Sequence, residues 1–202
     1  IGVNGKRTQL NQPFTSFDEP KPYSQYTFSK YEAEKKLFEL LSKNSMEVVI
    51  IRPTLVYDVG APGNIEKLIK LIKTKIPIPF LKLKNLRSFV YLNNLIDLII
   101  TCFEHPNAKN KVFLVSDDKD ISTSDFICLL GEIIDSRVTM FALPINFLKF
   151  FAKLIGKSNQ ISTLTDSLQI DMSYTKQELD WKPPYSKDEI ISLSRSSKTN
   201  NL

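Results

Sequence analysis

The chain has 202 residues with 42% hydrophobic and 24% charged side chains, proportions that suit one folded domain or a domain with an appendage. They exclude collagen-like, disordered and disulfide-scaffold classes. The net charge of +5 comes from 22 Lys and 5 Arg against 22 acids, scattered along the chain with no Arg-rich stripe, which argues against nucleic-acid binding.

Residues 1–22 are polar and broken by Pro13, Pro20 and Pro22, a loop by composition. From Tyr23 to about Lys43, Ala33, Leu37, Leu40 and Leu41 recur at helical spacing among Glu and Lys, which predicts a long amphipathic helix. The β-branched run Val48 to Ile51 then predicts a short parallel strand buried on both faces, ended by Pro53, which has no N–H to give.

Residues 58–63 read as a loop, and Ile65, Leu68, Ile69 and Ile72 predict a second amphipathic helix with Asn64 placed as its N-cap. The IPIPF segment can only be edge or irregular; residues 88–92 and 112–116 are strands, with a helix between them over 93–102. Ser122 or Thr123 caps a further helix, and Pro144 opens another. The C-terminal part becomes small helices with short strands, a short helix spans about 188–193, and residues 193–202 read as a frayed tail.

The helix from Pro144 carries Phe147, Leu148, Phe150, Phe151, Leu154 and Ile155 with Lys149, Lys153 and Lys157. Such a composition fits a basic membrane-surface helix, but its apolar positions cover more than one face, and a packed domain helix is the reading preferred. No apolar run approaches the roughly 18 residues of a membrane span. Cys102 and Cys128 lie 26 residues apart with no partner pattern, so neither a disulfide nor a metal site is indicated, and a reducing cytoplasm is expected. His105 has no cluster around it and takes no role.

Tyr26 and Lys30 form a Y-x-x-x-K pair that a helix places on one face, one turn apart. A phenol titrates near 10, and a nearby ammonium favours the phenolate, so the pair suits proton exchange with a hydroxyl or ketone. The same spacing also describes an ordinary surface pair lying over the core.

With IGVNG at the start, the PYSQYTFSKYEAE helix, the strand into RPTLVY, GN opening a helix, and LRSFVYLNNL in that order, the chain resembles the C-terminal two thirds of an extended short-chain dehydrogenase/reductase. It resembles the NAD-dependent nucleotide-sugar epimerase/dehydratase group over residues 1–192, and bacterial polysaccharide enzymes of the UDP-glucose 4-epimerase-like kind most of all. The 4-reductase of UDP-4-keto-6-deoxy-N-acetylglucosamine is a close relative of these.

The resemblance implies an α/β fold, the last part of a Rossmann-type parallel sheet over 1–60 and 88–116 with a smaller mixed α/β substrate lid over 61–87 and 117–192. It implies Tyr26 as catalytic acid/base and Lys30 as the group that lowers its pKa and holds the nicotinamide ribose. Pro53, Leu55 and Val56 would pass beside the nicotinamide and the reacting sugar, while Asn64 and Arg87 would grip the substrate diphosphate. Asn64 as a plain cap and Arg87 as a surface cation stay open. The partners implied are NAD or NADP, a UDP-sugar, and a second copy or an N-terminal partner chain.

Two departures stand out. Asp58-Val59 occupies the place where the family commonly has Gly-Pro. The glycine turn that binds a dinucleotide pyrophosphate at a helix N-terminus is absent: Gly2, Gly5, Gly60, Gly63, Gly131 and Gly156 contain no such spacing. The expectation is therefore a start internal to a longer enzyme, with the catalytic Ser or Thr just before Ile1, or else an inactive remnant or split half of poor solubility.

Overall fold

The computed structural model describes residues 1–9, 12–41, 46–154 and 156–199. The chain is α/β and divides into two compact units, each assembled from three separated segments.

The first unit comprises Ile1–Val56, Ser88–Lys119 and Leu168–Tyr185. It holds helix α1 (Gln25–Leu41), strand β1 (Val49–Pro53), strand β3 (Phe89–Tyr91), helix α3 (Leu92–Glu104), strand β4 (Lys111–Val115) and helix α7 (Ser173–Leu179). β1 and β4 pair in parallel from Val49 opposite Lys111 to Pro53 opposite Val115, and strand β2 (Leu55–Tyr57) pairs with β3. Phe113, Leu114 and Val115 are fully buried with Val90, Leu98, Ile170, Met172, Leu179 and Trp181 around them. Polar clamps close this core: Asn94 donates to Asp117 at 2.8 Å and to the Tyr185 carbonyl at 3.2 Å, and Trp181 Nε1 donates to Asp97 at 2.6 Å.

The second unit comprises Tyr57–Arg87, Asp120–Ser167 and Ser186–Leu202. Its helices are α2 (Asn64–Lys73), α4 (Thr123–Ile134), α5 (Ile145–Leu154), α6 (Ser158–Thr165) and α8 (Lys187–Thr199). Ile65, Ile69 and Ile72 bury the inner face of α2 against α4, and α4 buries Phe126, Ile127, Leu130 and Ile133. Ser122 caps α4, its side chain accepting from Asp125 N–H at 3.0 Å. A glycine at 131 lets the following turn lie close: a Cβ there would stand 2.4 Å from Val138 Cγ2.

Several expectations change. β1 alternates between buried and half-buried residues and has one strand partner among the described residues; of its two buried positions, Ile50 is aliphatic and Arg52 a guanidinium that is buried because it is ion-paired. The α1 stripe is not a core face: Ala33, Leu37 and Leu40 are exposed, because the helix docks through Thr27 and Glu34; its expected end near Lys43 lies outside the described residues. Residues 168–185, expected within the lid segment 117–192, belong to the first unit, where Thr175 Oγ1 donates to the Leu114 carbonyl at 2.8 Å. α8 runs through most of the expected tail because Arg195 Nε and Nη2 donate to the Glu132 carbonyl at 3.1 and 2.9 Å; residues 200–202 lie outside the described residues.

Candidate active site

The start of α1 is organised by side-chain hydroxyls. Ser24 Oγ accepts from Thr27 N–H at 3.2 Å, and Thr27 Oγ1 accepts from the N–H groups of Tyr23 and Ser24 at 3.0 Å each. With Thr27 turned inward, Tyr26 and Lys30 face outward. Tyr26 is 70% exposed, and Lys30 Nζ stands 5.5 Å from the centroid of its ring. Lys30 follows Tyr26 by about one helical turn, so the phenol and the ammonium share one exposed face of α1.

What fixes this helix is an ion pair that the sequence alone did not single out. Arg52, buried in β1, donates through Nε and Nη2 to the two carboxylate oxygens of Glu34 at 3.0 and 2.6 Å. Its Nη1 donates to Asn4 Oδ1 at 3.0 Å, and Asn4 Nδ2 donates to the Thr15 carbonyl at 2.9 Å. Glu34 lies four residues after Lys30, so a two-point clamp there sets the roll of the face that carries Tyr26 and Lys30. The available signal was a guanidinium inside an otherwise apolar strand, which burial obliges to find a carboxylate.

Pro53 ends β1, and Thr54 turns the chain, its N–H and Oγ1 both donating to the Val115 carbonyl at 3.2 and 3.1 Å. Leu55 and Val56 follow in β2, half-buried like Pro53. These three residues therefore sit at the C-terminal end of the parallel β1–β4 pair, where open α/β sheets place their ligands.

In the second unit the N-cap of α2 is Gly63, at φ 86°, and not Asn64. Glycine adopts that left-handed backbone without strain, which moves the cap back one residue and leaves Asn64 as the exposed first residue of the helix. Arg87 is half-buried, and its Nη1 donates to the carbonyls of Thr163 and Asp166 at 2.6 and 2.9 Å, across the C-terminal end of α6. Beside it the buried Asn85 Nδ2 donates to Thr123 Oγ1, the Leu164 carbonyl and the Asp166 carbonyl at 3.0, 3.2 and 3.1 Å. Thus Tyr26, Lys30, Pro53, Leu55 and Val56 are held in one unit and Asn64 and Arg87 in the other. His105 Nδ1 accepts from Asn107 N–H at 3.2 Å in the turn after α3.

Residues 2–116 match the NAD dependent epimerase/dehydratase family. The chain belongs to that family.

Within the epimerase/dehydratase family, the chain is 46% identical over 190 residues to a UDP-glucose 4-epimerase of Vibrio cholerae, covering 94% of this chain and 58% of that protein. It is 23% identical over 172 residues to an Escherichia coli O157:H7 N-acetyl-alpha-D-glucosaminyl-diphospho-ditrans,octacis-undecaprenol 4-epimerase, covering 81% and 50%. The fold matches a UDP-glucose 4-epimerase of Thermotoga maritima solved with UDP-glucose, with a TM-score of 0.71 at 18% identity over 100% of this chain and 61% of that one. A UDP-glucuronic acid 4-epimerase of Bacillus cereus, solved with UDP-glucuronic acid and NAD, gives 0.70 at 20% identity over 100% and 60%. The chain thus spans between half and about three fifths of the length of these relatives.

The residues present fit one end of a dinucleotide. An exposed phenol and ammonium one turn apart suit the nicotinamide ribose. A Cβ on Gly2 would stand 2.6 Å from Thr27 Cγ2 and one on Gly5 2.7 Å from Phe14 Cζ, whereas one on Gly60, Gly63 or Gly156 would meet nothing within 4 Å. Gly2 and Gly5 are packing glycines, each lying against a neighbouring side chain.

Proposed function

We propose that this sequence is the larger part of a nucleotide-sugar 4-epimerase or 4-keto reductase of bacterial surface polysaccharide synthesis, acting in the cytoplasm on a UDP-sugar. The observation that carries the reading is the exposed Tyr26–Lys30 pair on a helix clamped by Glu34 to Arg52, next to the C-terminal end of the β1–β4 pair. The 46% identity to a UDP-glucose 4-epimerase supports the same class of substrate.

NAD or NADP, when bound, supplies the hydride exchange at C4 of the sugar. Tyr26 takes the proton from the C4 hydroxyl as it becomes a ketone and returns it on reduction. Lys30 stabilises the phenolate that this role needs and holds the ribose hydroxyls by its three donors. Pro53, Leu55 and Val56 form the apolar wall against which the reacting ring lies. Asn64 presents its amide at the start of α2, and Arg87, oriented by two backbone carbonyls, pairs with a phosphate oxygen. Epimerisation and one-way reduction use the same groups, and they differ in whether the ketone turns over in the pocket or arrives from outside.

The test is Tyr26→Phe in the complete enzyme. Turnover should fall by roughly 10²- to 10⁴-fold with UDP-sugar affinity kept; unchanged turnover with either a UDP-hexose or a UDP-4-keto sugar would sink the assignment. A second reading is that these residues bind at most the nucleotide end of a sugar nucleotide, alone or with an N-terminal partner chain. Titration of the 202 residues with NAD separates the two, since micromolar affinity would show a complete cofactor site.

A further inference from the structure

Helix α5 carries two apolar faces, and the fold uses one. Leu148 and Ala152, four residues apart, are buried in the second unit. Phe147, Phe150, Phe151 and Leu154, at i, i+3, i+4 and i+7, form a second stripe that is 55%, 59%, 55% and 67% exposed. The rings of Phe150 and Phe151 meet edge to face at 5.7 Å, so these two form one exposed aromatic patch within the stripe.

The charge around it has one sign. Lys149 and Lys153, also four apart, run along the helix between the buried face and the exposed stripe, and Lys157 follows; all three are exposed. From residue 136 to residue 165 there is no Asp or Glu, although acids make up 22 of the 202 residues. An aromatic stripe flanked by a lysine row with no carboxylates is the pattern of a helix that lies in the plane of an anionic lipid surface. The lysine stems would cover apolar surface while their ammonium groups reach headgroup phosphates.

We propose that α5 docks the protein peripherally on an anionic membrane surface, with Phe147, Phe150, Phe151 and Leu154 in the headgroup boundary and Lys149, Lys153 and Lys157 on the phosphates. No described helix is long and apolar enough to cross a membrane, so the contact is superficial. A second copy of the chain fits the stripe less well: packing two α5 helices together sets lysine row near lysine row, with no acid in the whole stretch to answer them. The inference stands on the second unit alone and is independent of the reaction proposed above.

Flotation of the intact protein with vesicles tests it. The protein should rise with vesicles containing phosphatidylglycerol, stay down with phosphatidylcholine alone, and release as salt is raised. Phe150→Ser with Leu154→Ser should weaken the partition by about tenfold or more, as should Lys149→Glu with Lys153→Glu, while Lys149→Arg with Lys153→Arg should retain it. All four positions are exposed, so an unchanged melting curve will show that the variants fold. Absence of flotation with phosphatidylglycerol, or equal flotation of the serine variant, would overturn the proposal. So would a concentration-dependent dimer that the serine variant dissociates, since the stripe would then belong to a second copy.

Discussion

The two units anchor their candidate site residues by opposite chemistry. In the first, a buried guanidinium and a carboxylate hold α1, and each Glu34 oxygen accepts from Arg52. In the second, the neutral amide of Asn85 works among backbone carbonyls that have a second donor each: Thr123 Oγ1 also reaches the Leu164 carbonyl at 2.7 Å, and Arg87 also reaches that of Asp166 at 2.9 Å. An ionic clamp gives a stiff two-point geometry between one guanidinium and one carboxylate, whereas a shared amide node tolerates the loss of one member. The helix that carries Tyr26 and Lys30 has the stiff one.

The strongest way to break that comparison is Arg52→Leu. It leaves a Glu34 carboxylate that is 13% exposed without its partner, and the expected loss is about 3–5 kcal/mol in urea unfolding. Adding Glu34→Leu should recover much of the stability, because two apolar groups of similar bulk remove the orphaned charge. Activity of the complete enzyme should not return in the double variant, since the roll of Tyr26 and Lys30 is then unset. Equal loss in the single and double variants would mean that packing, and not charge, dominates this anchor.

Asn85→Leu should cost less, about 1–3 kcal/mol, because the carbonyls it leaves keep their other donors. A loss as large as that of Arg52→Leu would erase the distinction. Ser122→Ala, which removes the α4 cap in the same unit, should cost about 1 kcal/mol by the same measurement.

The smallest effect separates the units in alkali. Burial pushes the Cys102 thiol up to about 11, and it raises Cys128 as well, with Asp125 and Glu132 adding to the rise there and Lys187 opposing it. A thiol that holds its proton longer when folded stabilises the protein fully below the unfolded value near 9. That contribution is lost as the pH rises from there toward about 11, because the unfolded chain ionises first. Stability should therefore decline over this window, and Cys102→Ala should flatten the decline more than Cys128→Ala. An identical slope in both would place the alkali sensitivity elsewhere.

Much of this was legible from residue patterns where the signal is local. The run of β-branched residues closed by Pro53 marked β1, Ser122 marked the start of α4, and the spacing of Tyr26 and Lys30 put them on one helical face. Harder to read were features decided by distant partners. Arg52 finds Glu34 across 18 residues and Asn4 across 48, and nothing in the periodicity of α1 shows that its polar side docks. Asn64 has the composition of a cap, yet Gly63 at φ 86° takes the position because backbone freedom outweighs side-chain capping there. The double face of α5 was visible as an excess of apolar positions; which half stays in water was not. Ile155, part of that reading, lies outside the described residues.

The pairing of β1 with β4 bears on how the chain reaches its fold. Val49 must wait for Lys111, 62 residues later, and residues 57–87 of the other unit are made in between. The first unit needs residues up to 185 and the second residues from 186 onward, so neither is complete on a growing chain before residue 185 has been made. Parallel strands closed over such a span form slowly. Until then Val49–Pro53 lacks β4 beside it, and synthesis at reduced temperature or with chaperone capacity to spare should raise the yield of folded chain.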